Sequence, residues 1–289
     1  MIDKTKIPTE LKSFPTPFLR ALMHDSYVAG TSKYSVTTLL SPPQRTWLKT
    51  QGEEIRSAYG MFSSLMGTAI HHVIETYTDA SAGEIAEQRF YTLIEVDGEK
   101  ISVSGQVDLI ENKCVTDYKN TSGLQEKIKR EHYLQANMNA YLAEVNGIEV
   151  MHISVVYIDR TWSHLRSTVD PSYPQTPFRQ FIHPYERQLA IDTFASTVRD
   201  HHEASLGKPR DCTSEEQWSK PDVFALMKIG GKRASKCFDS YAEADAEKKS
   251  DQYIEVRKGS KTFCLSFCNL KHLCPQFARE QMQSNSTEQ

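Results

Sequence analysis

The chain has 289 residues, 39% of them hydrophobic and 25% charged, which is enough apolar material for at least one buried core. No stretch approaches the roughly 18 apolar residues that span a bilayer, and the N-terminal sequence MIDKTKIPTELKSF lacks the apolar run of a secretory signal. We therefore expect a soluble, cytoplasmic protein with no membrane partner. The formal net charge of −3 differs from that of strongly basic nucleic-acid binders, but it is compatible with an enzyme whose carboxylates bind divalent cations and, through them, phosphate.

The N-terminal part of the chain, residues 1–60, is predicted to be a helical segment that prolines interrupt. A long amphipathic helix is predicted to follow over residues 62–77. Its apolar residues recur at i, i+3, i+4 and i+7 and are expected to face the core: Ile70, Val73, Ile74 and Tyr77.

Three strands are predicted after this helix: residues 89–96, 100–110 and 113–119. The dipeptide Asp97-Gly98 favours a tight hairpin turn between the first two. A helix over about 124–145 and an almost continuously apolar strand at 152–159 come next. The order helix, three strands, helix, strand predicts an α/β (α+β) fold with a mixed sheet flanked by helices.

The rest of the chain is predicted to be less regular. A helix over about 184–204 follows a proline-rich loop, and the polar composition of the final dozen residues predicts disorder there. We therefore divide the chain into an N-terminal helical segment (1–60), a core (61–205) and a cysteine-containing C-terminal extension (206–289).

Three charged side chains of the second and third strands are predicted to share a small patch. Asp117 and Lys119 are two residues apart and project to the same side of their strand, and a short turn brings Asp108 of the neighbouring antiparallel strand toward them. Carboxylates bind Mg²⁺ or Mn²⁺, and a lysine can position or deprotonate an attacking water. The group therefore suits hydrolysis of a phosphodiester, with a surface salt-bridge cluster as the alternative.

The upstream helix offers further candidates. His71 and Glu75 fall together at the edge of the apolar stripe, so the imidazole could bind Mn²⁺ while the carboxylate binds a metal or orients its ligands. Gly105 is expected to allow a bend or the close approach of a substrate backbone. Gln135, beside the apolar stripe of the next helix, is a candidate to bond to a phosphate or a base. For each residue an ordinary surface or core role is the alternative.

The segments GTAIHHVIE, GQVDLI, VTDYKN and YLQANMNAYL stand in this order within roughly residues 35–160. Together they resemble the RecB-type branch of the PD-(D/E)XK nucleases, which includes the nuclease domains of RecB and AddB, the CRISPR adaptation nucleases, and the RecE and lambda-type exonucleases with many phage relatives. The resemblance implies a restriction-endonuclease-like core and a metal-dependent nuclease activity.

The resemblance also implies roles for individual residues. One or two Mg²⁺ or Mn²⁺ ions would be held by these groups: His71, Asp108, Asp117 and the carbonyl of Tyr118. Lys119 would be catalytic, and Gln135 would be the glutamine of the downstream motif. Many members carry a tyrosine four residues after that glutamine, whereas this chain has Asn139, so no tyrosine role is carried over.

Cysteines near the C-terminus form a further candidate site. Cys264, Cys268 and Cys274 are well spaced to share a metal ion or cluster. The segment PRDCTSEEQW resembles a part of the C-terminal tail of phage members of this nuclease group, and the resemblance implies Cys212 as the fourth ligand, with Cys237 as its substitute. Related nucleases close a 4Fe-4S cluster with a cysteine ahead of the motif helix, but SVTTLLSPPQRTWL contains none. An iron–sulfur cluster, a structural zinc and unliganded thiols all remain open.

These features predict a Mg²⁺- or Mn²⁺-dependent deoxyribonuclease. By family analogy its role would be that of an exonuclease in phage DNA recombination or replication, in the host cytoplasm, with a single-strand-binding or annealing protein as partner. A structure-specific or restriction-like endonuclease is one alternative. A non-catalytic module that binds DNA or a host protein is another.

Overall fold

The computed structural model describes residues 14–23, 30–55 and 58–286. The α-helices are α1 (Thr16–Met23), α2 (Val36–Leu39), α3 (Gln44–Gln51), α4 (Ala58–Tyr77), α5 (Arg130–Val145), α6 (His164–Val169), α7 (Arg187–Ser205), α8 (Tyr241–Glu247) and α9 (Pro275–Ser286). The β-strands are β1 (Tyr34–Ser35), β2 (Ile85–Val96), β3 (Glu99–Glu111), β4 (Cys114–Thr121), β5 (His152–Asp159), β6 (Phe178–Pro184), β7 (Val223–Lys228), β8 (Ala234–Phe238) and β9 (Gln252–Arg257).

The described residues divide into two units. Unit 1 comprises the described parts of residues 1–43 and 56–209, and unit 2 those of residues 44–55 and 210–289. The predicted start of the C-terminal extension thus lies close to the observed division. The N-terminal segment predicted for residues 1–60 is not a separate body, because α3 belongs to unit 2 and the segments on either side of it belong to unit 1.

A mixed sheet forms the centre of unit 1 and confirms the predicted α/β fold. Its strand order is β1-β3-β4-β5-β6, and β2 pairs with the other edge of β3. The β2–β3, β3–β4 and β5–β6 pairs are antiparallel, whereas the β1–β3 and β4–β5 pairs are parallel. The predicted turn at Asp97-Gly98 joins β2 to β3, and both of its residues have positive φ angles, 51° and 84°.

The edge of β3 opposite β2 is shared by two strands that leave an interval between them. β4 pairs with β3 only over Leu109–Glu111, and β1 pairs with the same edge at Val103 and Ser104. β4 then continues along β5 instead of β3. The residues of β3 from Gly105 to Asp108 therefore face an opening in the sheet, and the acidic residue of GQVDLI stands at its end.

Helix α5 packs closely on the sheet beside this opening. Met138 and Leu142 of α5 are fully buried in the main hydrophobic core. A Cβ on Gly105 would lie 2.3 Å from Oδ1 of Asn139 and 2.7 Å from Cδ1 of Leu142. The absent side chain thus makes room for α5. This corrects the expectation that Gly105 admits a substrate backbone.

Helix α4 is less buried than its periodicity predicted. Val73 is 56% exposed and Tyr77 is 82% exposed, so only Ile70 and Ile74 of the expected stripe are partly buried. The helix contacts β2, β3 and β4, and α1 packs against it through Leu19 and Leu22. An apolar repeat identifies a helix but not how much of its face is covered, which depends on the neighbouring elements.

Several other boundaries differ from those predicted. Helix α5 begins at Arg130 rather than near residue 124, because the preceding segment is tied to β5 by bonds from Gly123 N–H to Asp159 and from Lys129 N–H to Tyr157. Strand β6 lies where the sequence predicts the end of a proline-rich loop and the start of a helix at about residue 184. Helix α9 extends through much of the tail predicted to be disordered, and residues 287–289 lie outside the described residues.

Unit 2 contains a second, smaller sheet. Its strand order is β8-β7-β9, both pairs are antiparallel, and α8 packs on it. Phe224 of β7 meets Tyr241 of α8 edge to face, at 6.0 Å between ring centroids. In neither unit does a described helix have the length and apolar character that crossing a membrane requires.

Candidate functional site

Asp108 stands where β3 and β4 separate. Its carboxylate is only 7% exposed, and the backbone N–H of Tyr118 donates a 2.7 Å hydrogen bond to Oδ2. Burial raises the pKa of Asp108 to about 7, and the neighbouring carboxylate of Asp117 adds to the rise. The expected approach of Asp108 to Asp117 is found, because the hydrogen bond from Tyr118 N–H holds the carboxylate of Asp108 beside that of Asp117, whose charge acts on it.

Lys119 connects the second carboxylate to helix α5. Its Nζ lies 2.9 and 2.8 Å from Oδ1 and Oδ2 of Asp117, and it donates a 3.0 Å hydrogen bond to Oε1 of Gln135. Asp117 is 2% exposed, and burial raises its pKa while the charge of Lys119 opposes the rise. The structure thus brings Asp117, Lys119 and Gln135 together.

His71 reaches the site from α4. Its Nδ1 lies 2.8 Å from Oε1 of Glu87 and 3.5 Å from Oδ1 of Asp108. The Nε2–H₂ of Gln106 donates a 2.6 Å hydrogen bond to the other oxygen of Glu87. The hydrogen bond to Glu87 is the main reason why the pKa of His71 is raised. Nδ1 is thus the ring nitrogen that faces both carboxylates.

Glu87 is the residue of the site that the sequence analysis missed. In the β2–β3 register Ala86 pairs with Leu109 and Gln88 with Val107, so Glu87 stands opposite Asp108. Its φ of 50° interrupts the regular strand, and such a backbone angle costs free energy for a residue with a side chain. A signal was present: the two-residue turn at Asp97-Gly98 fixes this register.

The predicted partner Glu75 is not part of this group. Its carboxylate is 63% exposed and lies 3.9 Å from Nδ1 of His72, whose ring is 77% exposed. Glu75, one helical turn after His71, therefore lies at the surface. The carboxylate beside His71 is that of Glu87 on β2. Tyr118 contributes its N–H to Asp108, while the metal-binding role of its carbonyl stays a prediction.

The donor atoms suit a hard divalent cation. Among the described residues, His71, Glu87 and Asp108 offer ligand atoms that all lie within 4.8 Å of one another. Oδ2 of Asp117 is buried. Lys119 Nζ lies 2.8 Å from this oxygen, but the angle between them does not make a hydrogen bond. Carboxylate oxygens with one imidazole are a ligand set for Mn²⁺ or Mg²⁺. Asp117 lies outside this three-residue group, so its predicted role as a metal ligand stays a prediction.

Unit 2 contains a pocket lined by the side chains of the predicted ligands Cys212, Cys264, Cys268 and Cys274. Cys237, the substitute for the fourth position, is exposed on β8, and Cys114 is partly buried on β4 of unit 1. Burial raises the pKa of Cys212 to about 12 and that of Cys264 to about 11. These two thiols are therefore protonated when nothing is bound, and metal ligation would remove their protons.

Four cysteine side chains at one pocket are a donor set for metal ligation. Such a set can hold a tetrahedral zinc ion or an iron–sulfur cluster, so the lining of the pocket fits either group.

No family model matches the chain, and no curated protein matches it. The solved structure of the protein SSO0001 is similar over 64% of this chain and 85% of that chain, with 18% sequence identity and a TM-score of 0.47.

Proposed function

We propose that this chain is a metal-dependent deoxyribonuclease of the PD-(D/E)XK type that hydrolyses phosphodiester bonds. The observation that supports this most is the meeting of Asp108, Asp117 and Lys119 at the opening between β3 and β4. A buried pair of carboxylates is costly unless cations compensate it, and burial raises the pKa of both Asp108 and Asp117. Divalent cations would supply the missing charge.

Each residue has a defined task in this proposal. His71, Asp108 and Asp117 would hold one or two Mg²⁺ or Mn²⁺ ions, which supply polarisation of the phosphate and a lowered pKa of the attacking water. Two hydrogens of Lys119 are directed to Asp117 and Gln135, so the third is left for a water or a phosphate oxygen. Gln135 thereby fixes the direction in which the ammonium can act.

The biological role is proposed from the family resemblance alone. An exonuclease that processes DNA ends during phage recombination or replication would act beside a single-strand-binding or annealing protein in the host cytoplasm. This finer assignment depends on whether the enzyme needs a DNA end.

The test is an assay of the purified protein on end-labelled linear duplex and on covalently closed circular DNA. We expect Mg²⁺ or Mn²⁺ to release labelled nucleotides from linear DNA, circular DNA to stay intact, and a chelator to stop the reaction. Cleavage of the circular DNA would show that the enzyme is an endonuclease and not an exonuclease. No cleavage of either substrate with any divalent cation would reject the proposed hydrolase and leave a binding module.

We further propose a 4Fe-4S cluster in the cysteine pocket, supported by the four cysteine side chains that line it. Protein prepared without air should then be brown and contain iron and acid-labile sulfide. Cys212→Ser should lose most of the iron, whereas Cys237→Ser, which changes an exposed cysteine of the same unit, should keep it. Zinc in place of iron, or equal iron in both variants, would contradict the proposal.

A further inference from the structure

Gln44, the first residue of α3, has its side-chain amide among the cysteines of unit 2. The residue is only 3% exposed. Its Oε1 lies 3.3 Å from Sγ of Cys212 and 3.4 Å from Sγ of Cys274. Each S–H donates to the same amide oxygen. One amide oxygen thus accepts hydrogen bonds from two of the proposed ligand thiols, which lie far apart in sequence.

Binding of a cluster in the pocket would change the two sulfurs from hydrogen-bond donors to acceptors. Cysteine binds a metal as the thiolate, so both sulfurs lose the hydrogens that they donate and become acceptors. An amide oxygen at the same distance would then face two negatively charged sulfurs. Rotation of the terminal amide by half a turn exchanges Oε1 for Nε2, whose two hydrogens can serve the two sulfurs.

We propose that Gln44 donates its amide hydrogens to the sulfurs of Cys212 and Cys274 in the loaded pocket, and that it is a positioning residue that raises the reduction potential of the bound cluster. Donors to the ligand sulfurs stabilise the extra electron of the reduced form, which makes reduction easier. The inference rests on the proposed 4Fe-4S cluster.

The next residue of α3 supports this assignment independently. Nε of Arg45 is buried and has no hydrogen-bond partner in the described structure, and the guanidinium stacks over the ring of Phe263 at 5.8 Å from its centroid. Both side chains line the cysteine pocket. A buried donor without an acceptor is costly. A negatively charged cluster would compensate it, so the first turn of α3 places the amide of Gln44 and the unpaired donor of Arg45 at the same pocket.

The experiment compares the reduction potentials of Gln44→Leu and Gln44→Glu with that of the unmodified protein. Leucine removes the amide hydrogens, and glutamate keeps the size of the side chain but places negative charge beside the sulfurs. Gln51→Leu is the matched control, because Gln51 is the exposed last residue of the same helix and bonds only locally to Thr50. Each protein is titrated anaerobically while its visible absorption is recorded.

We expect the potential to become more negative in the order unmodified protein, Gln44→Leu, Gln44→Glu, with Gln51→Leu unchanged. Loss of the cluster to a chelator should be several-fold faster in both Gln44 variants. If Gln44→Leu does not fold, the near-isosteric Gln44→Glu carries the comparison. Equal potentials in proteins with equal iron content would overturn the role of Gln44 while the cluster proposal stands. Absence of a cluster from the unmodified protein would overturn both.

Discussion

Glu87 stands opposite Asp108 across the β2–β3 pair, and its φ of 50° interrupts the regular strand. Its two oxygens meet His71 Nδ1 at 2.8 Å and Gln106 Nε2 at 2.6 Å. A strained backbone persists only where surrounding contacts hold it, and such residues are concentrated at functional sites. The geometry therefore gives Glu87 the task of orienting His71.

Glu87→Ala should weaken Mn²⁺ binding about 10- to 100-fold, the usual loss when the carboxylate behind a ligand histidine is removed. Titration calorimetry with Mn²⁺ measures the change. Glu75→Gln is the matched control, because this glutamate lies on the same helix as His71 but is 63% exposed. If the two variants bind Mn²⁺ with the same affinity, Glu87 does not orient the site.

The metal-free protein should become less stable as pH rises from about 4 to about 7. The pKa of Asp108 is raised from 3.8 to about 7 by burial, so in this range the folded state binds more protons than the unfolded state. A shift of this size corresponds to a few kcal/mol at most. The raised pKa of His71, caused chiefly by Glu87, acts in the same direction at higher pH.

Thermal unfolding measured across this pH range, with and without Mn²⁺, tests the linkage. The stabilisation by Mn²⁺ should grow as pH rises, because the metal binds the deprotonated carboxylate. Asp108→Asn should flatten the decline in the metal-free protein and abolish the growing effect of Mn²⁺. An unchanged pH dependence in this variant would show that Asp108 is not the titrating group.

Gly105→Ala should destabilise the protein by about 1–3 kcal/mol, because the new methyl group would overlap Asn139 and Leu142 in a packed core. Gly67→Ala is the contrasting change. No atom lies within 4 Å of a Cβ at Gly67, which is within α4, so alanine should stabilise that helix by about 0.5–1 kcal/mol. Urea unfolding measures both. Equal effects of the two changes would contradict the close packing at Gly105.

Local patterns predicted the elements of the site well. Alternation placed Asp117 and Lys119 on one side of a strand, and the resemblance of the segment around Cys212 singled out that residue over Cys237. Both inferences depend on chemistry within a short segment or on a motif. They needed no knowledge of how distant segments pack.

What the sequence could not indicate depends on tertiary contacts. The burial of α4 depends on which neighbours cover it, and Val73 and Tyr77 are left exposed. Strand β6 forms because β5 offers an edge to pair with, although prolines surround the segment. The Asp97-Gly98 turn fixes the strand register that brings Glu87 to the site, but no periodicity shows the positive φ angle of Glu87. Gln44 meets the thiols only after residues 44–55 join the C-terminal unit.

The most direct test of the account is cleavage of end-labelled linear DNA by Asp117→Asn in saturating Mg²⁺. Asparagine keeps the shape of this buried side chain but removes its charge, so the variant should fold and lose activity at least about a hundredfold, as expected for loss of a group that stabilises developing charge. Glu75→Gln should cleave at the unmodified rate. Digestion by Asp117→Asn at that same rate would contradict the proposed nuclease site.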